Sequence, residues 1–118
     1  MTKVDVNVVQ ENDYTFIDVV GELDASSSVD LDTTLQECID RGDKKLLINC
    51  AGLTYISSAG IGVFTSRLDE IETEKIGMVL YNVGANIRSV LEILGVDQFL
   101  NLAANKEEAT KIIQSSNV

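Results

Sequence analysis

Leu46, Leu47 and Ile48 follow one another without a polar interruption inside the short segment Lys45 to Cys50. Alternate residues of a β-strand point to opposite faces, so an unbroken apolar run demands a strand covered on both sides. The segment Gly77 to Val83 repeats the pattern with Met78-Val79-Leu80-Tyr81. Two such strands need amphipathic helices to cover them, and the chain has the required stripes. Leu31, Leu35, Cys38 and Ile39 recur at helical spacing, as do Ile61, Phe64, Leu68 and Ile71, then Ile87, Val90, Leu91 and Leu94. Ala109, Ile112 and Ile113 predict a terminal helix.

The flanks complete the order. Val4, Val6 and Val8 alternate with polar residues, which predicts a half-buried strand. Glu11-Asn12-Asp13 is a polar turn, and Phe16 to Val20 reads as a second strand, antiparallel to the first because the link is so short. Arg41-Gly42-Asp43 and Gly95 end helices, Ala51 to Ser58 reads as a connection into the next helix, and Phe99 to Leu102 reads as a short last strand. The result is an α/β fold, a mixed β-sheet with helices in the order ββαβαβαβα. Its 118 residues are the usual size of one domain. Open sheets of this kind carry their sites beyond the carboxyl ends of the strands. That directs attention to Gly21–Ser28, Ala51–Gly60 and Asn82–Asn86.

Composition narrows the chemistry. A net charge of −10 repels phosphate backbones, which argues against direct nucleic-acid binding and suits a basic protein surface or simple solubility. No apolar run is long enough to cross a membrane, and Met1 to Gln10 lacks the apolar centre of a signal peptide, so a cytoplasmic location is expected. Cys38 and Cys50 are expected as buried small hydrophobes rather than a disulfide. Histidine is absent, which removes imidazole as base, ligand or pH switch.

Tyr55-Ile56-Ser57-Ser58-Ala59-Gly60-Ile61-Gly62 is the most unusual segment. Two serines sit at the mouth of a helix, and two glycines follow where each costs up to about 1 kcal/mol against alanine. Such a sequence is either a capping serine with glycines packed on the sheet, or a bare backbone kept open for a partner. No lysine follows to make a phosphate-binding loop, and neither the serine-centred Gly-x-Ser-x-Gly turn nor a histidine is present to make a hydrolase. Gly21-Glu22-Leu23-Asp24 ends the second strand at the same edge. Glu22, Asp24, Asp30 and Asp32 lack the spacing of a metal loop, so neither metal nor cofactor is expected. Asn82-Val83-Gly84 reads as an ordinary strand-to-helix turn.

Taken together, three segments resemble the STAS family of anti-sigma factor antagonists. Gly21-Glu22-Leu23-Asp24 is similar to that family's G-x-L-D motif, and Thr54 to Phe64 resembles its phosphorylation loop, usually Asp-Ser-Ser/Thr-Gly-Leu. Asn82, Val83, Ile87, Leu91, Leu94 and Gly95 fit its third strand-to-helix segment. The resemblance spans nearly the whole chain, and implies a single STAS domain over residues 1–118.

It also implies a non-enzymatic binding switch with Ser58 as phosphoacceptor. Its partners would be an anti-sigma factor with serine kinase activity and a serine phosphatase, and phosphorylation would release the anti-sigma factor. Ser57 replaces the family's usual aspartate, which makes it a minor competing acceptor. Asp24, Ser27, Ser57, Ser58, Ala59, Gly60, Gly62 and Val63 are the expected partner-binding residues. Of these, Asp24, Ser27, Ser58, Gly60 and Val63 are expected on one surface patch, where Gly60→Leu would block binding and spare the fold. The alternative role is a non-phosphorylated STAS accessory subunit or scaffold, for example of a lipid-transport complex.

Overall fold

A computed structural model describes residues 3–115. β1 (Val4–Glu11) and β2 (Tyr14–Leu23) form an antiparallel hairpin, followed by α1 (Ser28–Arg41) and β3 (Lys45–Asn49). Next come β4 (Leu53–Ile56), α2 (Ser58–Thr65), α3 (Leu68–Thr73) and β5 (Gly77–Tyr81). The chain continues through α4 (Ala85–Ile93), a 3-10 turn at Val96–Gln98, β6 (Asn101–Ala103) and α5 (Lys106–Ser115). The strands lie in the order β1-β2-β3-β5-β6, with β4 paired to the end of β2, and every pair except β1–β2 is parallel.

The apolar runs divide between two cores as their pleat requires. Leu46 and Ile48 of β3, with Met78 and Leu80 of β5, face the main core, which takes in Leu31 and Leu35 of α1, Ile61 and Phe64 of α2, and Ile87 and Leu91 of α4. Leu47, Val79 and Tyr81 face the other way, against Ala109 and Ile113 of α5. Burying a side chain such as Ile113 completely contributes about 1.5–3 kcal/mol toward holding this ten-residue helix on the second face. That second layer stops short of the hairpin. Val9 and Val20 on the outer face of β1–β2 remain about half exposed, at 53% and 47%. Cys38 and Cys50 are free thiols inside the protein, and burial pushes the Cys50 thiol up to about 12.

Three details differ from the sequence expectation. Leu53–Ile56 is a strand rather than part of a loop: β2 pairs with β3 over Thr15–Asp18, then with β4 over Gly21–Leu23, across an irregularity at Gly21/Glu22. Gly21 makes this possible with φ +118°, since a Cβ there would sit 2.1 Å from the Lys3 carbonyl oxygen. The Ile61–Ile71 stripe is two helices, because the Thr65 and Ser66 hydroxyls turn back onto the carbonyls of Ile61 and Val63 and Arg67 leaves helical geometry. The last strand begins at Asn101, leaving Phe99 68% exposed.

Candidate functional site

The β2–β4 register places the two strand ends side by side. Leu23 lies opposite Ile56, and the Ser57 amide donates to the Leu23 carbonyl at 2.8 Å. Asp24 and Ser57 therefore leave the sheet together, and α2 starts at once.

The two serines have different tasks there. Ser57 is the N-cap: its backbone is extended, and its Oγ accepts from the Gly60 amide at 3.3 Å. Ser58 is the first helical residue and is exposed, and its hydroxyl makes no hydrogen bond among the described residues. The amides of Ser58 and Ala59, the first two of α2, have no intrahelical acceptor, a setting that favours an added anion.

Asp24 is already engaged. Its Oδ1 accepts from the amides of Ser26 and Ser27 and from the Ser26 hydroxyl, at 2.8–2.9 Å, and its Oδ2 accepts from Lys3 Nζ. The Lys3 contact first, then the Ser27 and Ser26 donors, hold its carboxyl well below the usual carboxylate range. The carboxylate thus fastens its own loop to the start of β1 and makes no bond to Ser58. Ser27 is part of the same fastening. It is 6% exposed, and its Oγ donates to the Glu22 carbonyl at 2.6 Å and accepts from the Asp24 amide at 2.9 Å.

The expected surface patch is therefore divided. Ser58 is exposed, and Asp24, Ser57, Ala59 and Gly62 are partly so. Ser27, Gly60 and Val63 are buried. A Cβ on Gly60 would come within 2.9 Å of Leu23 Cβ and Ile56 Cγ1 and 3.0 Å of the Leu23 carbonyl oxygen. Gly60 is bare because α2 presses its first turn onto β2 and β4, so Gly60→Leu would disrupt the fold rather than spare it. Gly62 has nothing within 4 Å of its missing Cβ. It lines a shallow groove of about 290 Å³ between α1 and α2, with Ser28, Val29, Asp32, Ala59, Val63 and Ser66.

Sequence reasoning missed a residue that ties together the elements on either side of this groove. Arg67 is 7% exposed, and its guanidinium donates to the Asp32 carboxylate and carbonyl, to Gln36 and to Glu70 at 2.8–3.1 Å. These bonds tie α1 to the α2–α3 joint. Nothing local in the sequence announces a contact spanning 35 residues.

Among the described residues, no cluster of three metal-ligating side chains is present and no helix is long and apolar enough to cross a membrane. The STAS domain model matches residues 5–109. The chain belongs to the STAS domain family. The anti-sigma-B factor antagonist of Staphylococcus epidermidis is 21% identical over 104 residues, which cover 88% of this chain and 96% of that one. Among solved structures, an anti-sigma factor antagonist from Mycobacterium paratuberculosis superposes with a TM-score of 0.86 at 16% identity, covering 95% of both chains. The anti-sigma factor antagonist SpoIIAA in its unphosphorylated form gives 0.77 at 21% identity, covering 93% of this chain and 96% of that one. The phosphorylated Bacillus cell fate determinant SpoIIAA gives 0.69 at 20%, covering 92% and 99%. The fold of this STAS chain is thus that of proteins named for antagonising anti-sigma factors.

Proposed function

We propose that this STAS domain is a cytoplasmic anti-sigma factor antagonist, a protein-binding switch controlled by phosphorylation of Ser58. The observation that carries this reading is the division of labour between adjacent serines. Ser57 supplies the cap, so the exposed Ser58 hydroxyl is not needed by the fold. Gly62 supports it from the neighbouring groove, where a glycine that nothing crowds leaves room for another protein's backbone.

The chemistry follows from what surrounds Ser58. The sequence carries no Gly-Lys-Ser/Thr phosphate-binding loop, and Asp24 is held by Lys3 and the Ser26–Ser27 turn rather than poised as a base. Phosphoryl transfer then belongs to the partner, an anti-sigma factor with serine kinase activity, and removal belongs to a serine phosphatase. The phosphate adds about −1.5 to −2 charges at neutral pH. It sits where the α2 dipole accepts it, and where a partner shaped for a hydroxyl must desolvate it. Release needs no refolding.

Incubation with ATP and the candidate anti-sigma kinase, followed by mass-spectrometric mapping, tests this directly. Phosphate is expected on Ser58. Quantitative modification at Ser57 instead, or none on a chain that still binds the kinase, removes Ser58 from the switch.

A further inference from the structure

The face of the sheet turned away from α1 and α2 carries a row of polar side chains that the switch does not use. Asp18, Asn49 and Tyr81 are register partners on β2, β3 and β5, so they project side by side from one face. Asn49 Nδ2 donates to Asp18 Oδ1 at 3.0 Å, Asn82 Nδ2 donates to Asn49 Oδ1 at 3.1 Å, and the Ala51 amide donates to the same Asn49 oxygen at 3.1 Å. That backbone donor decides how the row is oriented. An amide hydrogen cannot point at an NH2 group, so Asn49 must present its oxygen to Ala51 and its nitrogen to Asp18. Asn82 must then donate, and its carbonyl oxygen is left over. The row therefore ends in acceptors, Asp18 Oδ2 and Asn82 Oδ1, on which no side chain among the described residues donates. Asn82 holds its place at φ +57°, a conformation uncommon outside glycine.

These acceptors line a cleft of about 320 Å³ whose walls include Phe16 and Tyr81 and whose rim includes Glu11 and Lys106. Asp18 is half-buried there, yet no cation among the described residues lies within ion-pairing distance of it. One cation already uses the aromatic wall: Lys106 Nζ stands 4.3 Å from the centroid of the Phe16 ring.

We infer that this cleft binds a guanidinium or primary ammonium group, held by Asp18 Oδ2 against the face of Phe16, with Lys106 as the chain's own competitor for the ring. The charges decide the ligand's sign. An anion would meet two carboxylates, Asp18 and Glu11, against one cation, Lys106, whereas a cation meets a carboxylate and a ring face. A planar guanidinium satisfies both, since its edge donates to the carboxylate while its plane stacks on the ring. The cleft lies on the sheet face opposite α2, so this site stands independently of the Ser58 switch.

The test is an amide-shift NMR titration of the full chain with millimolar agmatine at fixed ionic strength, with sodium acetate as the anionic control. Agmatine is expected to shift Asp18, Asn49, Asn82 and Lys106, and acetate is not. Asp18→Asn keeps the Asn49 contact but removes the charge, and is expected to weaken binding about tenfold. Phe16→Leu gives a second loss with Asp18 intact, should the first variant fold poorly. Lys106→Ala is expected to strengthen binding about threefold, a gain that a merely structural role for the row would not produce. An equal titration with a blocked arginine distinguishes sources. Tighter agmatine binding assigns the cleft to a free metabolite cation, and tighter blocked arginine assigns it to a side chain presented by a protein. Absence of agmatine shifts at these positions, or undiminished binding by both Asp18→Asn and Phe16→Leu, overturns the inference.

Discussion

Gly60 and Gly62 stand two positions apart in α2, and only Gly60 is enclosed: a Cβ on Gly60 meets Leu23 and Ile56 at 2.9 Å, while one on Gly62 meets nothing within 4 Å. Opposite effects on stability follow. Gly60→Ala forces atoms into a packed junction and is expected to lose about 1–3 kcal/mol. Gly62→Ala gains helix propensity without a clash and is expected to add about 0.5–1 kcal/mol. Urea denaturation of the two variants checks both signs. If Gly62→Ala destabilises, the glycine has a packing role in the domain itself, and the groove loses its claim on a partner.

The pair also shows where sequence reasoning stops. Glycines at 60 and 62 are equivalent as text, and both were compatible with a bare backbone kept for a partner. What separates them is the distance between α2 and the β2–β4 junction, and β4 itself was not legible. Its residues Leu53, Thr54, Tyr55 and Ile56 are buried, exposed, exposed and buried, which is no strand alternation. The central architecture was legible because it rests on period alone: Leu46-Leu47-Ile48 and Met78-Val79-Leu80-Tyr81 do send successive side chains to two different cores. Asp24 was placed at the correct edge, but its partner Lys3 lies 21 residues away, and no local pattern couples them.

Arg67 is expected to matter for stability more than any other charged residue of the α1–α2 region. Its guanidinium is buried, while the Asp32 and Glu70 side chains remain 48% and 40% exposed. Removing the cation leaves two carboxylates that water can still reach, so Arg67→Ala is expected to cost about 2–3 kcal/mol, below the ~3–5 of a fully buried pair. Arg67→Met keeps much of the packed stem and is expected to recover part of that loss. Chemical denaturation of both variants measures it, and a loss under about 0.5 kcal/mol for Arg67→Ala would mean that α1 is held by apolar contacts alone.

The Lys3–Asp24 contact makes a pH prediction. The Asp24 carboxyl is depressed in the folded protein by Lys3 first and by Ser27 and Ser26 next. A depressed carboxyl contributes stability above its unfolded value, and that contribution is lost as pH falls through the folded one. Stability should therefore decline on the acid side below about pH 4, and less steeply in Lys3→Ala or at high salt, because the pair is open to solvent. Carbon-detected NMR titration of Asp24 is the direct measurement. Lys3→Ala should raise its midpoint while leaving it below that of an unpartnered aspartate, since the Ser26 and Ser27 donors remain. An unchanged midpoint would assign the depression to the turn alone.

The serine pair gives the last prediction. Ser57 accepts from the Gly60 amide at a long 3.3 Å, so Ser57→Ala should cost about 0.5–1 kcal/mol, the lower part of the N-cap range. The Ser58 hydroxyl makes no hydrogen bond among the described residues, and Ser58→Ala should fall within about 0.5 kcal/mol of the parent. Release of the partner by ATP should show the reverse order. Ser57→Ala keeps the groove and the Ser58 hydroxyl, and is expected to bind and to be phosphorylated. Ser58→Ala is expected to bind and never to be released by ATP. Ser58→Asp puts a carboxylate at the first helical position, where the α2 dipole tolerates it to within about 1 kcal/mol, so the fold should be unchanged. Against a partner shaped for a hydroxyl, the same charge must be desolvated without a prepared counter-ion. A penalty of about 1.5–3 kcal/mol there corresponds to roughly a 10- to 150-fold loss of affinity. Titration calorimetry with the anti-sigma partner, alongside thermal denaturation of the free variants, separates the two effects. A Ser58→Asp variant that binds as tightly as the parent would leave the exposed hydroxyl without a role. One that loses affinity because it has unfolded would instead make Ser58 part of the fold, contrary to the lack of any hydrogen bond to its hydroxyl among the described residues.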